Sequence, residues 1–311
     1  ALGDAVGYPC EFRRRDRILE VFPPDGVTGP VASKDPIWGQ KPFIVGANHP
    51  PGTFTDDTQM TIAVALGLIE AGRGSLDALM QIIGKHFVAW SRSDDNNRSP
   101  GATCMTGCRN LGRGAPWREA GVADSKGCGS NMRVAPIGLY YAERRDELLE
   151  VARASSVLTH GHDAAIEGAA AAALLVAMAL DGASFEDMHT EVTRVCRGRS
   201  PDFDDCWARV PELLSADPGV ALAEGGLGES WVAEEAVASA LWCVWRAEGD
   251  YRKAVLLAAN TDGDSDSIAC IAGGIAGAMG GTAALPAEWL EVLEKREELT
   301  ALADELYRAS L

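Results

Sequence analysis

The sequence predicts an all-α fold, a single-domain multi-helix orthogonal bundle spanning residues 1–311. Three observations carry that prediction. Runs in which Val, Ile, Thr or aromatic residues alternate with polar ones, the pattern of a half-buried strand, are almost absent. Apolar residues recur instead at helical spacing in segments of roughly 10 to 17 residues, as in Leu76, Leu79, Ile83 and Phe87. The stretch from Ala164 to Leu180 is dense in Ala, and the smallness of Gly168 to Ala173 predicts close helix-on-helix packing near the centre. No Pro/Ser-rich linker or low-complexity run divides the chain, and 311 residues that are 47% hydrophobic suffice for one large core.

Charge and cysteine usage narrow the function classes. The net charge is −17, from 28 Lys+Arg against 45 Asp+Glu. With no basic stripe to offset it, this argues against a nucleic-acid or anionic-membrane partner. An anionic ligand would need metal ions, helix N-termini or a well-placed Arg. The eight Cys are scattered without a CxxC pair, which predicts reduced thiols in a cytoplasmic protein. Cys104-x3-Cys108 with Cys128 fits no usual zinc spacing. No apolar stretch of about 20 residues free of Gly clustering and charge stands out as membrane-spanning, and no signal peptide is read. The first residue is Ala1 rather than Met, so a few residues are expected to precede the first element.

The chain opens with Leu2-Gly3-Asp4-Ala5-Val6-Gly7, a short helix broken by Pro9. Gly3 and Gly7 are four apart, share a helical face and permit close backbone approach. Asp4 and Glu11 are the polar exceptions, and each alone reads as a surface charge. Residues 13 to 51 read as loops with a short strand around Val27-Thr28. Thr55-Asp56-Asp57-Thr58 then starts a helix whose apolar set includes Met60, Ile62, Val64, Leu66 and Ile69. Adjacent Asp residues in a first turn are explicable as capping and dipole chemistry. A helix from Leu76 to Trp90 ends in the polar loop Ser91 to Gly101, and Thr103 opens the next helix, 103 to 111, with a hydroxyl.

Lys126-Gly127-Cys128-Gly129-Ser130-Asn131-Met132-Arg133 is a Gly-rich turn entering a helix. Backbone N–H groups on such a turn can cradle phosphate oxygens. It is not a dinucleotide fingerprint, since no Val/Ile strand precedes it. Thr159-His160-Gly161-His162-Asp163 caps the Ala-rich helix. His160 reads equally as a satisfied helix-start histidine and as a donor to a ligand phosphate. Residues 181 to 225 are expected to be an irregular, solvated acidic face. A helix beginning near Gly228 and running to Trp245 has Ser230, Glu234 and Glu235 in its first turn; Tyr251 to Ala259 and an amphipathic Trp289 to Arg308 complete the set.

The most informative stretch is Thr261-Asp262-Gly263-Asp264-Ser265-Asp266-Ser267, which feeds the smooth apolar run Ile268 to Met279. Capping accounts for one acidic residue there, but not for three at alternate positions. The second Thr/Asp turn lies about two hundred residues earlier, and hard cations take all-oxygen ligands of this kind.

Taken in order, Gly3-Asp4-x-x-Gly7 with Glu11, Thr55-Asp56-Asp57-Thr58, Gly127-x-Gly129-x-x-Met132-Arg133, Thr159-His160, Gly228 with Trp231 to Ala236, and Gly263-Asp264-Ser265-Asp266-Ser267 resemble the ADP-ribosylglycohydrolase family. The resemblance covers most of the chain and implies an all-helical domain with two Mg²⁺ ions, or Mn²⁺ in their place, in a central cleft. It implies Thr55, Asp56, Asp57, Asp264, Asp266 and Ser267 as ligands, and Glu11, Asp56, Asp57 and Asp264 as the catalytic set. It further implies that Gly127, Gly129, Ser130, Asn131 and Met132 hold a diphosphate with His160, Gly101 and Thr103. Asp95, with Asp94 and Asn97, is expected to meet the departing acceptor. One departure is visible: the family more often has Thr where this chain has Ser265 and Ser267. Asp262 lies outside the matched motif and reads as an ordinary turn residue.

The implied reaction is metal-assisted hydrolysis of the N- or O-glycosidic bond between ADP-ribose and an acceptor side chain, foremost ADP-ribosyl-arginine on a protein. The alternatives are another linkage (serine, nucleobase or small metabolite) and a non-catalytic ADP-ribose binder. The expected partner is an ADP-ribosylated protein or small molecule, acted on by a monomer.

Overall fold

The computed structural model describes residues 1–34 and 48–311, and the expected loop segment 13 to 51 lies partly outside them. Among the described residues the chain is helical nearly throughout, with a single two-stranded ribbon pairing Ser33–Lys34 antiparallel to Asn48–His49. The strand expected around Val27-Thr28 is absent. There the Asn260 amide does what a neighbouring strand would do, accepting from Val27 N–H at 2.8 Å and donating to Val27 C=O at 2.9 Å.

The Ser265–Gly280 helix is the hub. It packs against Leu2–Gly7, Tyr251–Ala259, Ala233–Arg246 and the Ala-rich Asp163–Leu180 helix, which in turn carries Arg145–Val157 and Ala135–Tyr140. Small side chains make these crossings close. A Cβ on Gly3 would fall 1.9 Å from Ala269 O, and one on Gly7 would fall 2.5 Å from Asp266 Cα. The first helix therefore lies backbone to backbone on the start of the hub, as the Gly3/Gly7 spacing predicts, and any side chain there would pry them apart. Asp163–Leu180 is long and apolar enough to cross a membrane by length and composition, yet 78% of it is packed inside, as a core helix would be. Around these helices Trp207, Trp242, Phe87 and Phe203 are fully buried, each contributing about 1.5–3 kcal/mol of transfer free energy.

Several boundaries differ from expectation. Residues 181 to 225 are not irregular: Phe185–Cys196 and Pro201–Glu212 are amphipathic helices capped by Ser184 and Ser200. They bury Met188, Val192, Cys196, Phe203, Cys206, Trp207 and Val210. Asp202 and Asp204 sit in a first turn, where they favour the helix dipole. The helix expected from Gly228 begins at Ala233; Ser230 lies before it in the left-handed region, φ 64°, with its N–H bonded to Glu235. Arg15–Val21 is helical within the segment read as loop, its first N–H taken by Asp262 at 2.6 Å. Trp289 to Arg308 is two helices, Ala287–Val292 and Arg296–Ser310, broken at Lys295 with φ 50°.

Candidate active site

The two Asp-bearing turns meet at one cavity of about 310 Å³. Thr55 caps the Asp56–Ala71 helix, its hydroxyl accepting from Asp57 N–H at 3.3 Å. The turn is held from beneath by Asp4, which is wholly buried rather than the surface charge expected from the sequence. Asp4 Oδ1 accepts from the Thr55 N–H and hydroxyl at 3.0 and 2.9 Å, and Oδ2 from the Thr58 N–H and hydroxyl at 3.0 and 2.5 Å. So tied, Thr55 is fully buried and does not line the cavity, whereas Asp56 and Asp57 do. From the other side, Asp264, Asp266 and Ser267 face the same space at the start of the hub helix. Asp262 stays on Arg15, as an ordinary turn residue would.

Buried carboxylates this close resist ionisation together. Desolvation first, then neighbouring carboxylates, hold Asp56, Asp57 and Asp266 well above the usual range: Glu11, Asp4 and Asp264 act on Asp56, Asp266 acts on Asp57, and Glu11 acts on Asp266. Asp57 Oδ2 and Asp266 Oδ1 are buried without a hydrogen-bond partner. Paired orphan oxygens on opposed turns fit a hard oxygen-seeking cation, and a cation's charge would reverse the shifts. Among the described residues no three His, Cys, Asp or Glu side chains already converge as a cation cage. The fit rests instead on these orphan oxygens and on a donor set that includes the Ser267 hydroxyl.

Three further walls complete the cavity. Glu11 is buried at its edge and accepts from the Ser99 hydroxyl at 3.1 Å. Gly101 lines it and donates its N–H to Asp56 Oδ2 at 3.2 Å; Thr103 lines it too, its hydroxyl paired with Ser125 at 3.0 Å. Gly127, Gly129, Met132 and His160 form the opposite wall. Ser130 and Asn131, expected to bind substrate, lie beneath that turn with their side chains on Ala165 C=O and Ala233 C=O. Asp95 is exposed, outside the cavity and paired with Lys295 at 2.8 Å.

Sequence reasoning missed what five residues contribute. Asp4 stood in a matched motif, but as a lone acid it read as surface. The Cys128 thiol donates to Asp264 Oδ2 at 3.0 Å and is held well above its usual pKa, first by burial and then by that carboxylate, so it remains a donor. Phe12 and Trp231 line the mouth and stack with ring centroids 4.5 Å apart, leaving Trp231 45% exposed. On its far side Trp231 borders a larger acidic cavity of about 570 Å³ that contains none of the expected site residues. Arg133 is fully buried behind His160. Asp4, Arg133 and Trp231 stood in the motifs of the resemblance, but local spacing does not reveal these contacts, because only the fold brings residues near 12, 128 and 231 together.

Comparison with known proteins points to one family. The profile of the ADP-ribosylglycohydrolase family matches residues 1–311. The chain is 28% identical to ADP-ribosylarginine hydrolase Tri1 of Pseudomonas putida over 99% of this chain and 75% of that protein. It is 29% identical to human ADP-ribosylhydrolase ARH3 over 82% of this chain and 78% of that protein. A solved structure, an ADP-ribosylglycohydrolase-related protein complex, superposes with a TM-score of 0.69 at 29% identity, covering 100% of this chain and 97% of that one. With the family profile running from the first residue to the last and the all-helical fold shared with a solved relative, this chain belongs to the ADP-ribosylglycohydrolase family, enzymes that hydrolyse glycosidic bonds to ADP-ribose.

Proposed function

We propose that this enzyme removes ADP-ribose from arginine side chains of proteins, using two Mg²⁺ ions held by Asp56 and Asp57 on one turn and Asp264, Asp266 and Ser267 on the other. The observation that carries the reading is the pair of turns, about two hundred residues apart in sequence, facing one cavity with an orphan buried carboxylate oxygen on each. The arginine linkage draws support from the name of the Pseudomonas putida relative. Bound there, the cations would supply Lewis-acid charge to ribose hydroxyls and lower the pKa of water.

The chain's own groups divide the remaining work. Asp4 sets the Thr55-to-Thr58 turn so that Asp56 and Asp57 face inward. Glu11, at the cavity edge and steadied by Ser99, is assigned the role of orienting water at the glycosidic carbon. Cleavage passes through an oxocarbenium-like state, which the surrounding carboxylates stabilise electrostatically. Gly127, Gly129 and His160 line the wall assigned to the diphosphate, and a glycine wall lets phosphate oxygens approach the backbone.

The test is release of ADP-ribose from arginine-linked, serine-linked and nucleic-acid-linked substrates, each with Mg²⁺ and with EDTA. Turnover of the arginine substrate that disappears in EDTA supports the reading. Turnover of only another linkage overturns the arginine assignment, and full turnover in EDTA overturns the metal assignment.

A further inference from the structure

We infer that Arg133 and Thr159 are positioning residues that fix His160 as a neutral ring with its proton on Nε2, aimed as a donor at the diphosphate position beside Gly127 and Gly129. The inference deepens the proposed function, since the ligand oxygens it assigns to His160 are those of ADP-ribose.

The geometry determines the proton positions by counting donors. His160 Nδ1 lies 2.8 Å from Thr159 Oγ1, and Arg133 Nη2 lies 2.8 Å from that same oxygen and 2.9 Å from Ser155 C=O. A guanidinium can only donate, so Thr159 Oγ1 accepts from it. The threonine's own proton then has His160 Nδ1 as its acceptor. The reverse arrangement, with Nδ1 protonated, would leave the Thr159 O–H without a partner at a fully buried position, a costly state for a buried donor. Nδ1 is therefore the acceptor, and a neutral imidazole carries its hydrogen on Nε2.

The other edge of the ring faces the cavity wall. A Cβ on Gly127 would sit 3.2 Å from His160 Nε2, and one on Gly129 would sit 3.4 Å from it. Both positions are glycine, so the Nε2 edge lies against an open backbone. The backbone that carries the ring is fixed, with His160 N–H bonded to Ser156 C=O at 2.8 Å and its C=O accepting from the Ser156 hydroxyl at 3.1 Å, and the ring itself is held at Nδ1 by Thr159.

Arg133 contributes charge as well as geometry. It is fully buried, stacks on Phe87 at 4.4 Å, and has no ion pair among the described residues. Burial, and then the Arg133 charge, push the His160 pKa down to about 3, so the ring stays neutral while the cation stands behind it. An anion in the cavity thus meets an N–H donor in front of a buried positive charge, in a chain whose net charge is −17.

Two measurements on the 311-residue chain test this. The five histidines of ¹⁵N-histidine-labelled protein are resolved by long-range ¹H–¹⁵N correlation, with His160 assigned by its loss in His160→Gln. The expected pattern has Nε2 protonated and Nδ1 bare before ligand is added, with the Nε2–H resonance moving when ADP-ribose is titrated in. Thr159→Val, close in shape but unable to donate, is expected to mix the tautomers and weaken ADP-ribose binding about tenfold, the scale of one charge-assisted hydrogen bond. Thr159→Ser restores both, whereas a purely structural role for Thr159 would leave the tautomer alone. A protonated Nδ1 in the wild type, or a Thr159→Val protein with unchanged tautomer and affinity, overturns the relay. Wild type with the expected tautomer that binds no ADP-ribose overturns the ligand assignment and, with it, the proposed function.

Discussion

Asp4→Asn tests how the early turn is built. In the wild type Asp4 presents two oxygens, one to the N–H and hydroxyl of Thr55 and the other to the N–H and hydroxyl of Thr58. An amide has one oxygen, so one of these pairs must face an NH₂ group. Losing two hydrogen bonds to a charged acceptor costs about 3–6 kcal/mol, at about 1.5–3 each. The cheaper burial of a neutral amide offsets part of this, leaving a net loss of about 2–4 kcal/mol. For a chain of 311 residues that lowers Tm by about 4–8 °C, at about 2 °C per kcal/mol. Circular-dichroism melts with and without Mg²⁺ measure it. The loss should be accompanied by weaker stabilisation by Mg²⁺, because the same turn orients Asp56 and Asp57. A variant that melts with the wild type and responds equally to Mg²⁺ would refute the argument that Asp4 organises the site.

Asp56→Ala and Asp264→Ala should each lower ADP-ribosyl-arginine hydrolysis at least about a hundredfold, while Asp262→Ala, whose carboxylate only caps Arg15, should leave turnover near wild type; steady-state rates at saturating Mg²⁺ decide it. Gly129→Ala places a Cβ 2.7 Å from Cys104 Sγ and 3.0 Å from His160 Cε1, so calorimetry should show ADP-ribose affinity reduced about tenfold, with about 1–3 kcal/mol of overpacking cost in the melt. The raised carboxylates give a pH signature. Burial and mutual repulsion hold Asp56, Asp57 and Asp266 above their unfolded values, so in EDTA the stability they contribute is complete below about pH 4 and is lost as pH rises through the raised values. Cations bind the ionised form, so the Tm increment produced by Mg²⁺ should grow from about pH 5 to pH 8; an increment that shrinks over that range contradicts the assignment.

Local sequence carried much of the fold. The Ala-rich helix, the Leu76 helix and the Gly3/Gly7 contact are legible because period and residue size record which face is buried. The Phe185–Cys196 and Pro201–Glu212 helices were obscured because their charged faces dominate a composition reading, although Phe203, Cys206, Trp207 and Val210 hold the helical spacing. The candidate site was legible where acids recur at turns, at Asp56, Asp57, Asp264 and Asp266. It was illegible where a residue acts through a distant partner. Nothing around Asp4 announces that Thr55 and Thr58 will bring it their donors. Nothing around Ser130 or Asn131 announces that Ala165 and Ala233 will claim their side chains.

The central claim is that the two Asp-bearing turns form a single binuclear metal site. Anomalous diffraction from crystals grown with Mn²⁺ tests it most directly. The account predicts two manganese peaks in the cavity between the turns, with Asp56 and Asp57 on one side, Asp264 and Asp266 on the other, and Asp262 on neither. Peaks absent from this cavity, a single peak bound by one turn alone, or Asp262 as a ligand in place of Asp266 would contradict it.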